Sequence, residues 1–203
     1  MTRNENDEKN LQTKRITDFG QIKALYKSRM KKDFVRSELK SLFAMRRSWE
    51  KNAYECYGLF EGSNILGYAF FVRLNRRYLL DYLAVEESRR GQGLGSVFLR
   101  ELAHRMKDAD CVIAEVEDPE QAKDEAERAL RERRLRFYLR NGYVKTALAS
   151  VVFGVDYRIL EAASYSAHPV DQLRELYAAF YQSMLPALLF HTQFRISQPP
   201  SGS

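Results

Sequence analysis

Arg90-Gly91-Gln92-Gly93-Leu94-Gly95 is the stretch on which the interpretation of this sequence depends. The residues before it, 78–85, have the apolar and aromatic composition of a β-strand. Residues 96–107 follow it, and their apolar side chains recur at helical spacing. Alternating glycines allow successive backbone N–H groups to point at one anion, and the dipole of the following helix favours the same anion. The stretch therefore predicts a strand, loop and helix that together bind a pyrophosphate.

Two better-known phosphate motifs do not fit this loop. The glycine spacing differs from that of a dinucleotide fingerprint, and no Gly-Lys-Ser or Gly-Lys-Thr follows as in a P-loop. A tight strand-to-helix turn without any ligand remains an alternative for the loop taken alone.

Outward from the loop, the sequence alternates between strand and helix patterns. Upstream we predict a strand at 12–17, a helix from Asp18, a second helix at 35–51, and strands at 54–60, 65–74 and 78–85, the first two joined by a hairpin turn at 61–64. Downstream we predict a strand at 111–117, a helix from Pro119 to Arg140, two strands within 143–160 with a turn near Gly154, a helix at 170–185 and a strand at 188–196. This order predicts an α/β (α+β) fold with a mixed, mainly antiparallel sheet and helices on both of its faces.

Length and composition restrict the class of protein. The 203 residues suit one domain, which we place at 11–197, with disordered ends at 1–10 and 198–203. The formal charge of +6 favours anionic partners, but the basic residues are dispersed, so we expect no nucleic-acid partner. We find no apolar run long enough to span a bilayer and no secretory signal, so we expect no membrane partner and a cytoplasmic location.

The cysteines and histidines do not suggest a metal site. Cys56 and Cys111 lie in apolar segments typical of buried thiols in a reducing compartment. His104, His168 and His191 are far apart and have no Cys or His at ligand spacing. The sequence therefore predicts no metal.

Two motifs resemble the GNAT N-acetyltransferase superfamily. Residues 82–96 resemble its acetyl-CoA signature, Arg/Gln-x-x-Gly-x-Gly/Ala after a strand, which Arg90, Gly93 and Gly95 match. The segment from Phe137 to Tyr143 resembles the family's Phe-Tyr-x-x-x-Gly-Phe segment. The motifs occur in the expected order, and with the preceding strands the resemblance covers roughly residues 12–160.

This resemblance implies an acetyl-CoA-dependent N-acetyltransferase in which a primary amine of a small molecule, peptide or protein attacks the thioester directly. Backbone groups around Leu83 and Val85 would bind the pantetheine arm. Tyr138 would protonate the departing thiolate, since a phenol is protonated at neutral pH. The acyl-donor residues implied in this way are Leu83, Ala84, Val85, Arg90, Gly91, Gln92, Gly93, Leu94, Gly95 and Ser96.

Glu115 and Glu117 are the carboxylates that we consider for the general base. They alternate on one predicted strand and should share a face. Pairing with Arg133 or Arg134 is an equally good explanation for them, Asp81 is a weaker candidate, and a water relay would need no direct base.

One departure from the family supports a second hypothesis. Many members have an asparagine about two helical turns before the tyrosine, where this chain has Arg131. The alternative is therefore a catalytically weak domain that binds or senses acyl-CoA. We expect an acceptor site near Phe34, Glu38, Leu42 and Trp49, and a homodimer is compatible with the resemblance.

Overall fold

The computed structural model describes residues 11–36, 38–165 and 167–197, so the predicted disordered ends lie outside the described residues. The described chain forms eight strands in a mixed α/β fold, mainly antiparallel and flanked by helices, which confirms the predicted fold class. The chain divides into two compact units. The first unit contains the chain up to Arg73 together with Leu80–Asp108, and the second contains Leu74–Leu79 together with the chain after Asp108. No helix of the described residues is long and apolar enough to cross a membrane. One domain at 11–197 stays a prediction.

The first unit contains the strands that lead to the glycine loop. Their order is β1-β2-β3-β4, with β1 at Leu11–Ile16, β2 at Tyr54–Glu61, β3 at Asn64–Leu74 and β4 at Arg77–Val85. The last residue of β3 and the first residues of β4 belong to the second unit. The β1–β2 and β2–β3 pairs are antiparallel, and Cys56 lies opposite Phe70. The predicted hairpin turns at Gly62, whose φ of +62° is unfavourable for other residues.

Helices of the first unit pack their apolar faces onto its buried core. Helix α1 spans Phe19–Leu25, starts at the predicted Asp18 and continues through a π-helical turn at Tyr26–Met30 and a last turn at Lys31–Asp33. Helix α2 spans Leu42–Glu50 and α3 spans Leu94–Arg105. The largest fully buried side chains of this unit are Tyr68, Phe70, Phe71, Phe98, Ile22, Met30, Met45, Leu59 and Leu94.

The predicted helix at 35–51 is wrong in its first part. Phe34 and Ser41 both have extended backbone, and α2 begins only after Ser41, whose hydroxyl accepts from the Ala44 amide at 3.2 Å. The segment between them instead makes tertiary hydrogen bonds to Tyr82 on β4. Tertiary contacts therefore override the helical periodicity here.

The second unit is built around four further strands, in the order β5-β7-β6-β8. Strand β5 spans Cys111–Glu117, β6 Tyr143–Val152, β7 Val155–Ala162 and β8 Phe194–Ser197, and all these pairings are antiparallel. Helices α4 (Glu125–Arg140), α5 (Val170–Met184) and α6 (Ala187–Gln193) complete the unit. The predicted turn between β6 and β7 occurs at Phe153 and Gly154, both with positive φ.

Two predicted elements of the second unit are wrong at their boundaries. The helix predicted from Pro119 is a 3₁₀ turn at Pro119–Gln121, and α4 starts afresh after Asp124, whose carboxylate accepts from the Glu127 amide at 2.8 Å. The strand predicted at 188–196 is mostly α6, which begins after Pro186, a residue suited to a helix start. Only Phe194–Ser197 is strand.

Arg131 links α4 to the end of β5 by a buried network. Its guanidinium donates to the Asp118 carbonyl at 2.8 Å and lies 3.0 Å from Glu127 and 3.5 Å from Glu117. The Asp118 carboxylate in turn pairs with Arg158 at 2.8 Å. Only 8% of the Arg131 side chain is exposed, so this arginine does not belong to the solvated helix surface.

We expect Arg131→Ala to lower the free energy of unfolding by about 2 kcal/mol, because it leaves the buried Asp118 carbonyl without its donor and removes one of the two guanidinium groups beside Glu117. Arg136→Ala is the matched control, since Arg136 is exposed and its ion-pair partner among the described residues is Glu132, one turn away. This substitution should lower the free energy of unfolding by about 0.5 kcal/mol or less. Denaturant unfolding of both variants measures this difference. Equal destabilisation by the two substitutions would contradict the assignment.

Candidate functional site

The glycine loop is positioned by β4 and by the start of α3. Beyond Val85, the amide of Glu86 donates to the Leu66 carbonyl at 2.7 Å, so the chain stays attached to β3 as it leaves the strand. A 3₁₀ turn at Glu87–Arg89 then leads into the loop. Gly93 has a φ of +80° and is the residue immediately before α3, which therefore begins two residues earlier than predicted.

Backbone N–H groups in this loop have no acceptor. The amides of residues 91 to 95 donate to none of the backbone or side-chain acceptors in the described part of the chain. The next two amides, of Ser96 and Val97, both donate to the Gly93 carbonyl. Consecutive amides without partners at a helix N-terminus form a concave donor surface that suits phosphate oxygens.

The two left-handed glycines also leave space beside these amides. Gly91 and Gly93 each have a φ of +80°, and a Cβ atom added at either position would meet nothing within 4 Å. Glycine is therefore required here by backbone conformation, and no protein atom fills the volume beside it. Gly95 lies within the first turn of α3, so it does not contribute the third loop bend that the alternating pattern suggested.

Arg90 is held by acidic side chains of its own unit. Its guanidinium lies 3.1 Å from Asp33 and 3.8 Å from Glu87, and 48% of the side chain is exposed. Asp33 also accepts from the Tyr68 hydroxyl at 2.7 Å. The arginine is thus anchored beside the loop, with enough exposure to reach an anionic ligand.

Tyr138 lies near the end of α4, where the sequence predicts it, and is partly exposed. Its ring packs edge-on against Phe137 and Tyr143, each at 5.3 Å between ring centroids. No hydrogen bond joins its hydroxyl to another residue within the described ranges. Burial raises the pKa of Tyr138 above its ordinary value, and the charge of Arg134 opposes this only in part. The phenol is therefore a protonated donor at neutral pH.

The two candidate carboxylates of β5 make different contacts. Glu117 forms an ion pair with Arg134 as well as with Arg131, so the pairing alternative from the sequence describes it well. Glu115 accepts hydrogen bonds from the hydroxyls of Tyr177 and Tyr181 on α5, the latter at 2.6 Å. The structure does not group Glu115 and Glu117 into one carboxylate pair.

Tyr177 and Tyr181 are site residues that the sequence interpretation missed. They lie four residues apart on α5, so both hydroxyls reach the same carboxylate. Tyr177 also shares a hydrogen bond of 2.7 Å with Ser150. Helical spacing of two tyrosines was the available signal, but it is also typical of a core-facing helix.

The segment around Phe34 and Glu38, where we expect the acceptor site, is fixed to β4. The Phe34 ring packs on Tyr82 at 4.9 Å, and the Tyr82 hydroxyl donates to the Glu38 carbonyl at 2.6 Å. Asp81, the weaker base candidate, accepts from Lys40 and from the Tyr54 hydroxyl and is 5% exposed. These contacts make Asp81 an anchor of this segment.

Comparison with known proteins gives one family. The model of the acetyltransferase (GNAT) family matches residues 22–143, more than half of the chain. No curated protein sequence matches the chain.

Solved structures share the fold at low identity. A protein of Bacteroides thetaiotaomicron assigned to the GNAT acetyltransferases gives a TM-score of 0.65 at 16% identity, covering 85% of this chain and 97% of that one. The ribosomal-protein-S18-alanine N-acetyltransferase of Escherichia coli gives a TM-score of 0.55 at 15% identity, covering 79% of this chain and 97% of that one. A GNAT acetyltransferase of Elizabethkingia anophelis with acetyl-CoA bound gives a TM-score of 0.51 at 13% identity, covering 75% of this chain and 97% of that one.

The raised pKa of Tyr138 has a measurable consequence. Burial disfavours the phenolate, so this group stabilises the folded state below pH about 10, the ordinary phenol pKa, and the contribution is lost as the pH rises towards the folded pKa. The ultraviolet titration of the wild type minus that of Tyr138→Phe isolates the group. We expect no phenolate signal from it at pH about 10. Half-ionisation at that pH would contradict the burial of the hydroxyl.

Proposed function

The chain belongs to the GNAT family of acetyltransferases, and from this we propose that it moves the acetyl group of acetyl-CoA to a primary amine. The observation that carries the proposal is the row of amides at residues 91 to 95, which lack acceptors in the described chain, beside the open surroundings of Gly91 and Gly93. An acyl-CoA presents a pyrophosphate, the kind of anion that such a row binds.

We assign the donor to this loop and to the strand before it. The amides of Gly91 to Gly95, with Ser96 at the helix start, would hold the pyrophosphate. Arg90 would add a charge-assisted contact when its guanidinium exchanges Asp33 for a phosphate oxygen. Backbone groups of Leu83, Ala84 and Val85 would bind the pantetheine arm, as the family resemblance implies.

Transfer requires one bond to form, one to break and two proton movements. The amine nitrogen attacks the thioester carbonyl carbon, so that a C–N bond forms as the C–S bond breaks. The nitrogen gives up a proton, and Tyr138 supplies one to the departing thiolate. A protonated phenol without an acceptor among the described residues is suited to that donation.

For the amine proton, the contacts favour Glu115 over Glu117. The charge of Glu117 is already matched by two guanidinium groups, and these ion pairs explain the residue without a catalytic role. Glu115 accepts hydrogen bonds from two neutral phenol hydroxyls, which fix the orientation of its carboxylate. We therefore propose Glu115 as the base, directly or through a water molecule.

We propose a cytoplasmic location, since both cysteines are free and buried, as in proteins of reducing compartments.

The acceptor is a primary amine of a small molecule, peptide or protein. A panel of polyamines, aminoglycosides, amino acids and lysine peptides, assayed by release of free thiol from acetyl-CoA, identifies its class. Tight acetyl-CoA binding without turnover on any amine would favour an acyl-CoA-sensing domain.

Gly93→Glu tests the donor site. A carboxylate side chain beside the free amides repels a pyrophosphate, and the positive φ adds strain, so we expect acetyl-CoA affinity to fall by about 100-fold or more in calorimetry. Gly154→Glu is the matched control, because Gly154 has a φ of +79° and equally open surroundings in a hairpin turn. Unchanged affinity in Gly93→Glu would refute the donor site.

Tyr138→Phe tests the general acid. Loss of the phenol proton should lower kcat by about 100-fold while acetyl-CoA affinity is kept, since positioned proton donors contribute at least that much. Tyr143→Phe is the control, because the buried ring of Tyr143 packs against Tyr138 and this substitution removes the same hydroxyl group. The control should keep the kcat of the wild type. A kcat that matches the wild type in Tyr138→Phe would remove Tyr138 from the mechanism.

A further inference from the structure

Three side chains of metal-ligating type converge in the second unit, apart from every residue assigned to acetyl transfer. Cys111 starts β5, Glu161 lies near the end of β7, and His168 follows in the irregular segment before α5. The Cys111 Sγ lies 3.5 Å from a Glu161 oxygen, and the His168 Nδ1 lies 2.5 Å from the same oxygen. All the ligand atoms of the three residues are within 4.8 Å of one another.

The charge balance at Glu161 differs from that of the other buried carboxylates. Glu55 pairs with two arginines, Asp118 pairs with Arg158, and Asp81 pairs with Lys40. Glu161 is 4% exposed and has no lysine or arginine at ion-pair distance within the described ranges; its side-chain nitrogen partner there is the imidazole of His168. A buried carboxylate needs a compensating positive charge, which a bound cation would provide.

We propose that Cys111, Glu161 and His168 bind Zn²⁺ or another divalent cation with the same ligand preference. Thiolate, imidazole and carboxylate are the three ligand types that zinc accepts in proteins, and three protein ligands leave the fourth position to water. Tetrahedral zinc places its ligand atoms about 3.3–3.8 Å apart, a spacing that the Cys111–Glu161 distance already meets. His168 lies in an irregular segment, so its ring can withdraw by the roughly 1 Å that this spacing requires.

Metal binding at this site displaces a proton. In the metal-free structure the Cys111 thiol donates to the Glu161 carboxylate, with the sulfur 3.5 Å from the oxygen. A coordinating thiol is deprotonated, so each Zn²⁺ bound should release one proton from Cys111 into a weakly buffered solution.

Titration of the chelator-treated, dialysed full-length protein with Co²⁺ tests the site. We expect one Co²⁺ per chain, a thiolate-to-cobalt charge-transfer band in the near ultraviolet, and visible bands of four-coordinate cobalt that excess Zn²⁺ abolishes. Cys111→Ser should lose the charge-transfer band. Glu161→Gln and His168→Gln should weaken binding by about tenfold or more.

The chain provides matched controls. Cys56→Ser removes the other buried cysteine, and His104→Gln removes an exposed histidine; both should bind Co²⁺ like the wild type. Circular dichroism checks that each variant is folded, and His168→Gln maintains the test should Cys111→Ser unfold, because His168 is partly exposed. The metal-site proposal is wrong if the wild type shows no charge-transfer band. It is also wrong if the band survives Cys111→Ser or falls equally in Cys56→Ser, and the three residues then form a hydrogen-bond network only. Acetyl-CoA binding is measured separately, so either proposal can fail alone.

Discussion

A run of backbone N–H groups without protein acceptors is the constraint on which the functional interpretation depends. Gly91 and Gly93 adopt left-handed conformations, and the amides of residues 91 to 95, which run into the first turn of α3, have no acceptor in the described chain. Orphan donors cost free energy unless water or a ligand satisfies them. Because α3 starts at Leu94, the positive end of its dipole lies at these amides and favours an anion there as well. A bound anion would satisfy these donors together, which is why we propose the loop as the donor site.

Buried charge is the second organising feature, and it gives the two carboxylates of β5 different partners. Glu117 and Asp118 are matched by Arg131, Arg134 and Arg158, which ties α4 to the strands of its unit. Glu115, two residues earlier, accepts from the neutral hydroxyls of Tyr177 and Tyr181. Neighbouring acids on one strand therefore have different electrostatic surroundings, which is how proteins assign different roles to the same side chain.

Local sequence signals predicted the parts of the fold that depend on local physics. Glycine spacing predicted the loop, the Gly62 turn predicted the hairpin, and Asp18 predicted the start of α1. Tyr138 was found through a motif and not through chemistry. The family assignment, confirmed by the match over residues 22–143, supports that motif without testing the role of the residue.

Features set by tertiary contacts were beyond sequence reasoning. The helical pattern at 35–41 gives way to hydrogen bonds with Tyr82, and Arg131 is buried although its helix is rich in charge. Cys111, Glu161 and His168 are dispersed along the chain, so ligand spacing could not reveal that β5, β7 and the following segment bring them together. Strand pairing, not sequence proximity, creates that cluster.

Amide chemical shifts of an isotope-labelled protein test the central claim most directly. On titration with acetyl-CoA, the account predicts large downfield shifts of the amide protons of residues 91 to 95, and almost none with acetyl-pantetheine, which lacks the pyrophosphate. If acetyl-CoA binds while these five amides keep their shifts, the loop does not hold the donor and the account is wrong.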